Sequence, residues 1–177
     1  MPISGSCNFN ADVIFMIQDS QGISSTTAGN IKTVVQRIMT KLSAELIDTD
    51  LKFAVAKYAT SRQMSCFGSA DETISYLDNK YQHEGSGFNQ LNLALSKMVM
   101  KQFDKRPDDR KEDTTRVSFT FGYFPFWSES VWWPDSSYLQ YLSFLSELLS
   151  VKNIKDFEKR LWKSVLSSIV ERTETRC

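Results

Sequence analysis

The chain has few of the residues that build metal and redox centres: one histidine and three widely spaced cysteines among 177 residues. Zinc sites draw several His, Cys or carboxylate ligands from short spacings, so this composition disfavours one. Net charge is also absent, because 21 basic residues balance 21 acidic ones. The chain therefore has no global field to attract nucleic acid or an anionic membrane. No apolar run approaches the length of a membrane span, so direct membrane insertion is not expected.

Two partial enzyme motifs lack residues that their chemistry requires. Residues 19–22 resemble a phosphotransfer motif, but Gln21 replaces the acid that would transfer the proton. Residues 85–87 lack the third glycine and the preceding strand of a dinucleotide-binding loop. His83 has no nucleophile beside it in the sequence and is interpreted as a surface turn residue. We therefore predict a protein that is not an enzyme and that uses no cofactor.

One segment stands out as a buried strand that ends in a polar turn. Residues 13–17 are apolar without alternation, which is typical of a strand covered on both faces. The polar residues 18–22 follow, and a helical pattern starts near Thr27. Because α/β folds place ligands at the carboxyl ends of central parallel strands, residues 18–22 are the expected functional region.

The rest of the chain alternates between predicted helices and strands. Apolar spacing predicts helices over residues 27–47, 71–81, from about 91 to 103, 137–142 and 154–170. Strands are predicted over residues 51–58, 62–67, 117–121 and 147–151, the first two forming an antiparallel hairpin. This order predicts a doubly wound α/β domain over residues 9–177, after an N-terminal extension at 1–8. Its sheet is mostly parallel with one antiparallel edge strand, and helices cover both faces.

The order of these elements resembles that of a von Willebrand factor type A domain. The resemblance rests on ADVIFMIQDSQGIS followed by a helix, LKFAVAKYAT with its hairpin, the turn before FNQLNLAL, and VSFTFG. Their order matches the family over residues 9–177. The resemblance implies a protein-binding or adhesion module, of a kind that can form part of a longer multidomain protein.

Members of this family hold a divalent cation at a metal-ion-dependent adhesion site, built from Asp-x-Ser-x-Ser, a Thr and an Asp. By resemblance, the matching positions in this chain are Gln18, Ser20, Gly22, Asn89 and Phe121. Both carboxylates are lost, and magnesium is usually held by at least one. Asp19 lies one residue away, where a strand-end side chain points in another direction. We therefore predict a degenerate site that binds no metal.

An aromatic segment follows the strand at 117–121. Residues 123–136 are too few for the helix and strand that the family has there, so we expect that helix to be lost and residues 130–133 to remain a short strand. Two interpretations are open: the rings cover the exposed sheet, or Trp127 and its neighbours anchor a partner. The candidate partner-binding residues are Asp19, Ser20, Gln21, Asn89, Tyr123, Phe124 and Trp127.

The cysteines bear on where the protein works. Cys7 and Cys177 bracket the domain, which favours a disulfide across its ends, although three reduced thiols are the alternative. Such a bond would close a long loop and contribute about 4–5 kcal/mol in the chain-entropy treatment. Flanking cysteines are also typical of extracellular family members, so we expect a secreted module that binds a protein ligand. Residues 1–5 do not resemble a signal peptide, and an intracellular (cytoplasmic) scaffold in a multiprotein assembly is the alternative.

Overall fold

The computed structural model describes residues 10–47, 49–59, 62–94, 114–122 and 140–143. The strands are β1 (Asn10–Gln18), β2 (Asp50–Tyr58), β3 (Arg62–Met64), β4 (Thr114–Phe121) and β5 (Gln140–Ser143). The helices are α1 (Ser25–Glu45), α2 (Ala70–Asn79) and α3 (Leu91–Ala94). These bounds confirm the predicted central strand, first helix, hairpin and short helix that follows it, with ends displaced by a few residues.

The strands form one sheet in the order β3-β2-β1-β4-β5. β1 lies at its centre and pairs in parallel with both β2 and β4, while β5 pairs in parallel with β4. β3 pairs antiparallel with β2 at the edge. The predicted doubly wound, mostly parallel sheet with an antiparallel edge strand is thus confirmed. Its carboxyl edge, formed by the ends of β1, β2 and β4 at Gln18, Tyr58 and Phe121, is where a ligand site is expected.

β1 is apolar at successive positions because both of its faces are covered. Val13 and Phe15 pack into one cluster with the buried stripe of α1, while Ile14 and Met16 pack into a second cluster with Ala94 of α3. All four β1 side chains are fully buried. Because helices cover both faces of this strand, neither face contacts solvent. Polar residues therefore do not alternate with apolar ones, which explains the continuous apolar run.

Phe15 is the centre of the aromatic packing beneath α1. Its ring centroid lies 6.3 Å from that of Phe53, 5.6 Å from that of Phe119 and 6.4 Å from that of Phe121. The rings therefore connect three neighbouring strands through offset contacts. Phe121 is fully buried in this cluster, so its side chain is part of the hydrophobic core.

Side-chain caps fix where the first two helices begin. Ser24 Oγ accepts a hydrogen bond from the Thr27 amide, and Ser69 and Glu72 form a reciprocal capping box at α2. Hydrogen bonds from the Ser69 backbone and hydroxyl lower the pKa of the Glu72 carboxyl. The Ser24 cap accounts for a start of α1 two residues before the predicted one.

The predicted helix at 137–142 is wrong, because residues 140–143 form strand β5 instead. Tyr138, Leu139, Tyr141 and Leu142 recur at helical spacing, but a short apolar run fits either period. Strand pairing favours the strand over the helix, because β5 hydrogen-bonds to β4, whose outer N–H and C=O groups need partners.

Several predictions fall outside the described residues. These are the continuation of α3 beyond residue 94, the loss of a helix after residue 122 and the strand at 130–133, the elements at 147–151 and 154–170, and the Cys7–Cys177 bond. Within the described part of the chain, no helix is both long and apolar enough to span a membrane. Cys66, which lies in the predicted strand at 62–67 but after the end of β3, is a free and exposed thiol.

Candidate functional site

A neutral hydrogen-bonded network lies at the carboxyl edge. Gln18 Nε2 donates to Ser20 Oγ at 2.6 Å, and Asn89 Nδ2 donates to Gln18 Oε1 at 3.5 Å. Asn89 Oδ1 also accepts from the Leu91 amide at 3.1 Å, where α3 begins. Three of the positions matched to a cation site are thus in mutual contact, and they contact one another through amides and a hydroxyl.

Asp19 points away from this network. Its side chain is 1% exposed, and Oδ2 lies 3.4 Å from Nζ of Lys57, which is 4% exposed. Its oxygens also accept from the Glu84 amide at 3.1 and 3.2 Å and from His83 Nδ1. The charge of Asp19 is therefore directed into a buried cluster on the other side of the strand end.

The turn at residues 81–87 closes over this cluster. Lys57 Nζ donates to the Gln82 carbonyl at 3.1 Å and pairs with Glu84 at 2.5 Å. Gly85 has φ of 59° and Gly87 of 75°, values that suit glycine because it has no Cβ. Two tight glycine positions bend the chain so that its backbone N–H groups face Asp19.

His83 belongs to this cluster, and its interpretation as a surface turn residue was incomplete. It lies in a turn, but its side chain is only 14% exposed and its Nδ1 contacts Asp19. Because an ionised carboxylate has no proton to give, the imidazole is the donor in this bond. His83 therefore fastens the turn to the end of β1.

Tyr58 and Gly122 lie against Gln18 at the same edge. A Cβ built on Gly122 would sit 2.2 Å from Gln18 Oε1 and 2.7 Å from Tyr58 Oη, so a side chain at position 122 would require both of these side chains to move. The Tyr58 hydroxyl is buried, and no hydrogen-bond partner for it is present around the described residues. Burial raises the pKa of Tyr58 above its usual value. Burial and the nearby Asp19 charge together raise the pKa of Tyr81.

The predicted partner-binding residues differ in exposure. Asp19 and Ser20 are buried, whereas Gln21 and Asn89 are exposed. The Gln21 amide donates to the Gly87 carbonyl at 3.2 Å, so the two loops are neighbours. Gly22 is exposed next to Ser20, whereas Tyr123, Phe124 and Trp127 lie outside the described residues.

Two residues of this region, Lys57 and Phe88, were not predicted from the sequence. Lys57 lies in the alternating strand β2, where a lysine ordinarily faces solvent, and only the fold reveals that it is buried against Asp19. Phe88 is 70% exposed, one of the two large apolar side chains with high exposure in the described part of the chain. Its position directly after the glycine turn at 85–87 and before the polar Asn89 is the sequence feature that indicates exposure.

The donor groups at this edge decide how well it could hold a cation. In the ranges that the structure describes, no group of three or more His, Cys, Asp or Glu side chains is arranged to hold a metal ion. The donors near Ser20 are amide and hydroxyl groups, and the carboxylate of the adjacent residue, Asp19, is paired with Lys57. The described residues at this edge thus do not match the carboxylate-bearing ligand set that magnesium prefers.

Neither a protein-family model nor a curated protein matches the chain. The chain is, however, similar to several solved structures. Proximal thread matrix protein 1 from the mussel byssus superposes with a TM-score of 0.64 at 12% identity, covering 92% of this chain and 49% of that one. Another structure of the same mussel protein, with a zinc-occupied MIDAS motif, gives the same TM-score. This chain thus spans about half the length of the mussel protein.

Two bacterial pilus proteins are also similar in structure. The pilus adhesin SpaC from Lactobacillus rhamnosus GG gives a TM-score of 0.53 at 10% identity, covering 66% of this chain and 16% of that one. The vWF domain of a type V pili tip protein from Porphyromonas gingivalis gives 0.50 at 11% identity, covering 65% and 38%. At these identities the likeness is one of fold. Together with the sheet order, it shows that the chain has a von Willebrand factor type A-like α/β fold.

Proposed function

We propose that this protein is a non-enzymatic adhesion module of an extracellular protein and that it binds a protein partner without a bridging cation. The observation that carries the proposal is the neutral network of Gln18, Ser20 and Asn89 at the carboxyl edge. The one adjacent carboxylate, Asp19, is directed into a separate buried cluster. This edge is where α/β folds place their ligands.

The direction of the Gln18 amide supports metal independence. A cation at this edge would bind the Ser20 oxygen, but Gln18 Nε2 already donates a hydrogen bond to one of the two lone pairs of that oxygen. A divalent ion there would lie beside this N–H group and would gain no carboxylate in return. Neutral oxygens alone compensate poorly for the dehydration of magnesium.

The partner surface that we propose is formed by Gln21, Phe88 and Asn89, all exposed at the carboxyl edge. Exposed aromatic rings surrounded by polar groups are typical of binding hot spots. Tyr123, Phe124 and Trp127 remain candidates for the same surface. Asp19 and Ser20 act indirectly in this proposal, since they are buried and hold the loops in place.

The extracellular assignment is supported by the similar structures, which include two pilus proteins and a byssal thread protein. The alternative is an intracellular scaffold with reduced cysteines. We favour the extracellular module because adhesion-type neighbours and cysteines near both ends of the chain agree with it.

Magnesium is expected to leave the melting temperature of the protein unchanged at millimolar concentration. The matched variant Gln18→Asp restores an acid beside Ser20, so magnesium should raise its melting temperature through preferential binding to the folded state. Differential scanning calorimetry with magnesium, manganese and EDTA measures both proteins. Cation binding by the unmodified chain near micromolar affinity would contradict metal independence.

Phe88→Ser is expected to abolish partner capture while leaving the fold intact. Ile47→Ser is the matched control, because Ile47 is 81% exposed but lies between α1 and β2, at the opposite edge of the sheet. Immobilised proteins are incubated with a secreted-protein fraction in EDTA, and captured proteins are identified by mass spectrometry. Proteins held by the unmodified chain and by Ile47→Ser, but not by Phe88→Ser, are expected. Capture that EDTA abolishes would refute the proposal.

A further inference from the structure

The cluster behind the carboxyl edge contains an amine and a carboxyl group in reacting proximity. Lys57 Nζ lies 3.4 Å from Asp19 Oδ2 and 2.5 Å from Glu84 Oε1. The side chains of Lys57 and Asp19 are 4% and 1% exposed, whereas that of Glu84 is 49% exposed and borders solvent. We propose that Lys57 and Asp19 join through an intramolecular isopeptide bond, and that Glu84 promotes its formation.

Glu84 is positioned to prepare the nucleophile. An ammonium group has no lone pair and cannot attack a carboxyl carbon, so it must first lose a proton to a base. Glu84 Oε1 is in direct contact with Lys57 Nζ and can accept that proton. The resulting neutral amine is a competent nucleophile, already held beside its target.

The Asp19 carboxyl group is positioned as the electrophile. Its Oδ1 accepts from the Gly85 amide at 3.5 Å and from His83 Nδ1, and it shares the Glu84 amide with Oδ2, at 3.2 and 3.1 Å respectively. Donors placed in this way stabilise the negative charge that develops on the oxygen when the carbon becomes tetrahedral. The glycine-bent turn at 81–87 thus supplies the donor set, and Oδ2, on the side of Lys57, is the oxygen that leaves.

The step balances without any external reagent. Lys57 Nζ loses two protons in total and forms a bond to Asp19 Cγ, while the bond from Cγ to Oδ2 breaks. Glu84 receives the first proton and passes it to Oδ2, so that the neutral amine attacks a neutral carboxyl group; the second proton then follows to Oδ2, which departs as water. The products are one amide and one water molecule; nothing is oxidised or reduced, and Glu84 is regenerated.

The fold accommodates such a bond with little movement. β1 and β2 are adjacent parallel strands, and the Asp19 amide already donates to the Tyr58 carbonyl at 2.9 Å. The bond therefore joins two segments that the sheet holds together. It would covalently tie the loop after β1 to β2 and restrict the unfolded chain between residues 19 and 57.

The mass of the purified, folded and fully reduced chain tests the proposal. The unmodified protein is expected to weigh one water molecule less than its sequence requires, and tryptic peptides containing Asp19 and Lys57 should be linked, with no cleavage after Lys57. Lys57→Arg keeps the positive charge but removes the primary amine, so its full mass is expected. Glu84→Gln removes the proton acceptor and is also expected to retain the full mass.

Three outcomes would overturn the inference. The unmodified protein could keep its full mass after prolonged incubation, which would make the cluster purely ionic. Lys57→Arg could also lack a water molecule, which would indicate cyclisation of Asp19 with its own backbone. Glu84→Gln could lose water as completely as the unmodified chain, which would remove Glu84 from the reaction. The protein is reduced before the measurement because each disulfide also lowers the mass, by two hydrogen atoms.

Discussion

Replacing Lys57 with methionine is expected to lower the free energy of unfolding by about 3–5 kcal/mol, the cost of leaving a buried charge without its partner. Asp19 is 1% exposed and would lose the cation that faces it at 3.4 Å. Glu84 would lose the same partner. The direction of the change is the same whether Lys57 and Asp19 are ionic or covalently linked, because methionine removes both forms. Urea denaturation followed by fluorescence measures the difference.

Lys32→Met is the control for this prediction. Lys32 also pairs with an aspartate, Asp78, at 2.9 Å, but the two side chains are 26% and 52% exposed. Solvent screens such a pair, so the expected loss is much smaller than that of Lys57→Met. The double variant Asp19→Asn with Lys57→Met should recover part of the stability, since it removes both buried charges. Equal losses for Lys32→Met and Lys57→Met would contradict the buried cluster.

Phe15→Ala is the second substitution with a large expected effect, a loss of about 3–5 kcal/mol. The ring is fully buried and contacts the rings of Phe53, Phe119 and Phe121 on both neighbouring strands. Its removal leaves a cavity at the centre of the sheet that these three rings can fill only in part. The same denaturation experiment measures the loss.

Phe88→Ala provides the comparison for Phe15, because it deletes the same side chain at a position that is 70% exposed. Exposed substitutions of this kind change stability by no more than about 0.5 kcal/mol. A large loss for Phe88→Ala would show that this ring belongs to the core and would remove it from the proposed partner surface. A small loss for Phe15→Ala would contradict the central position of β1.

Much of the sheet is predictable from local patterns in the sequence. The apolar run at 13–17 predicts a strand covered on both faces, and β1 pairs with a parallel strand on each side. The stripe from Ile31 to Leu42 predicts α1, because its spacing matches one helix face. β5 is not predictable in this way, since its residues satisfy helical spacing and only the free side of β4 selects a strand.

The candidate site, like the sheet, is predictable from the sequence only in part. That Gln18 and Asp19 face different surroundings follows from strand geometry, in which neighbouring residues point to opposite faces. The destination of Asp19 does not follow, because Lys57 and His83 lie far from it in sequence and meet it only in the fold. Charged residues that pair over a long sequence separation leave no local pattern. Residue spacing alone therefore does not predict the buried cluster.

The close approach at Gly122 limits which residues can follow β4. While Gln18 and Tyr58 keep their conformations, any other residue at position 122 collides with them. Positions 18, 58 and 122 are therefore coupled, and a side chain can be introduced after β4 only if the other two side chains move or are replaced.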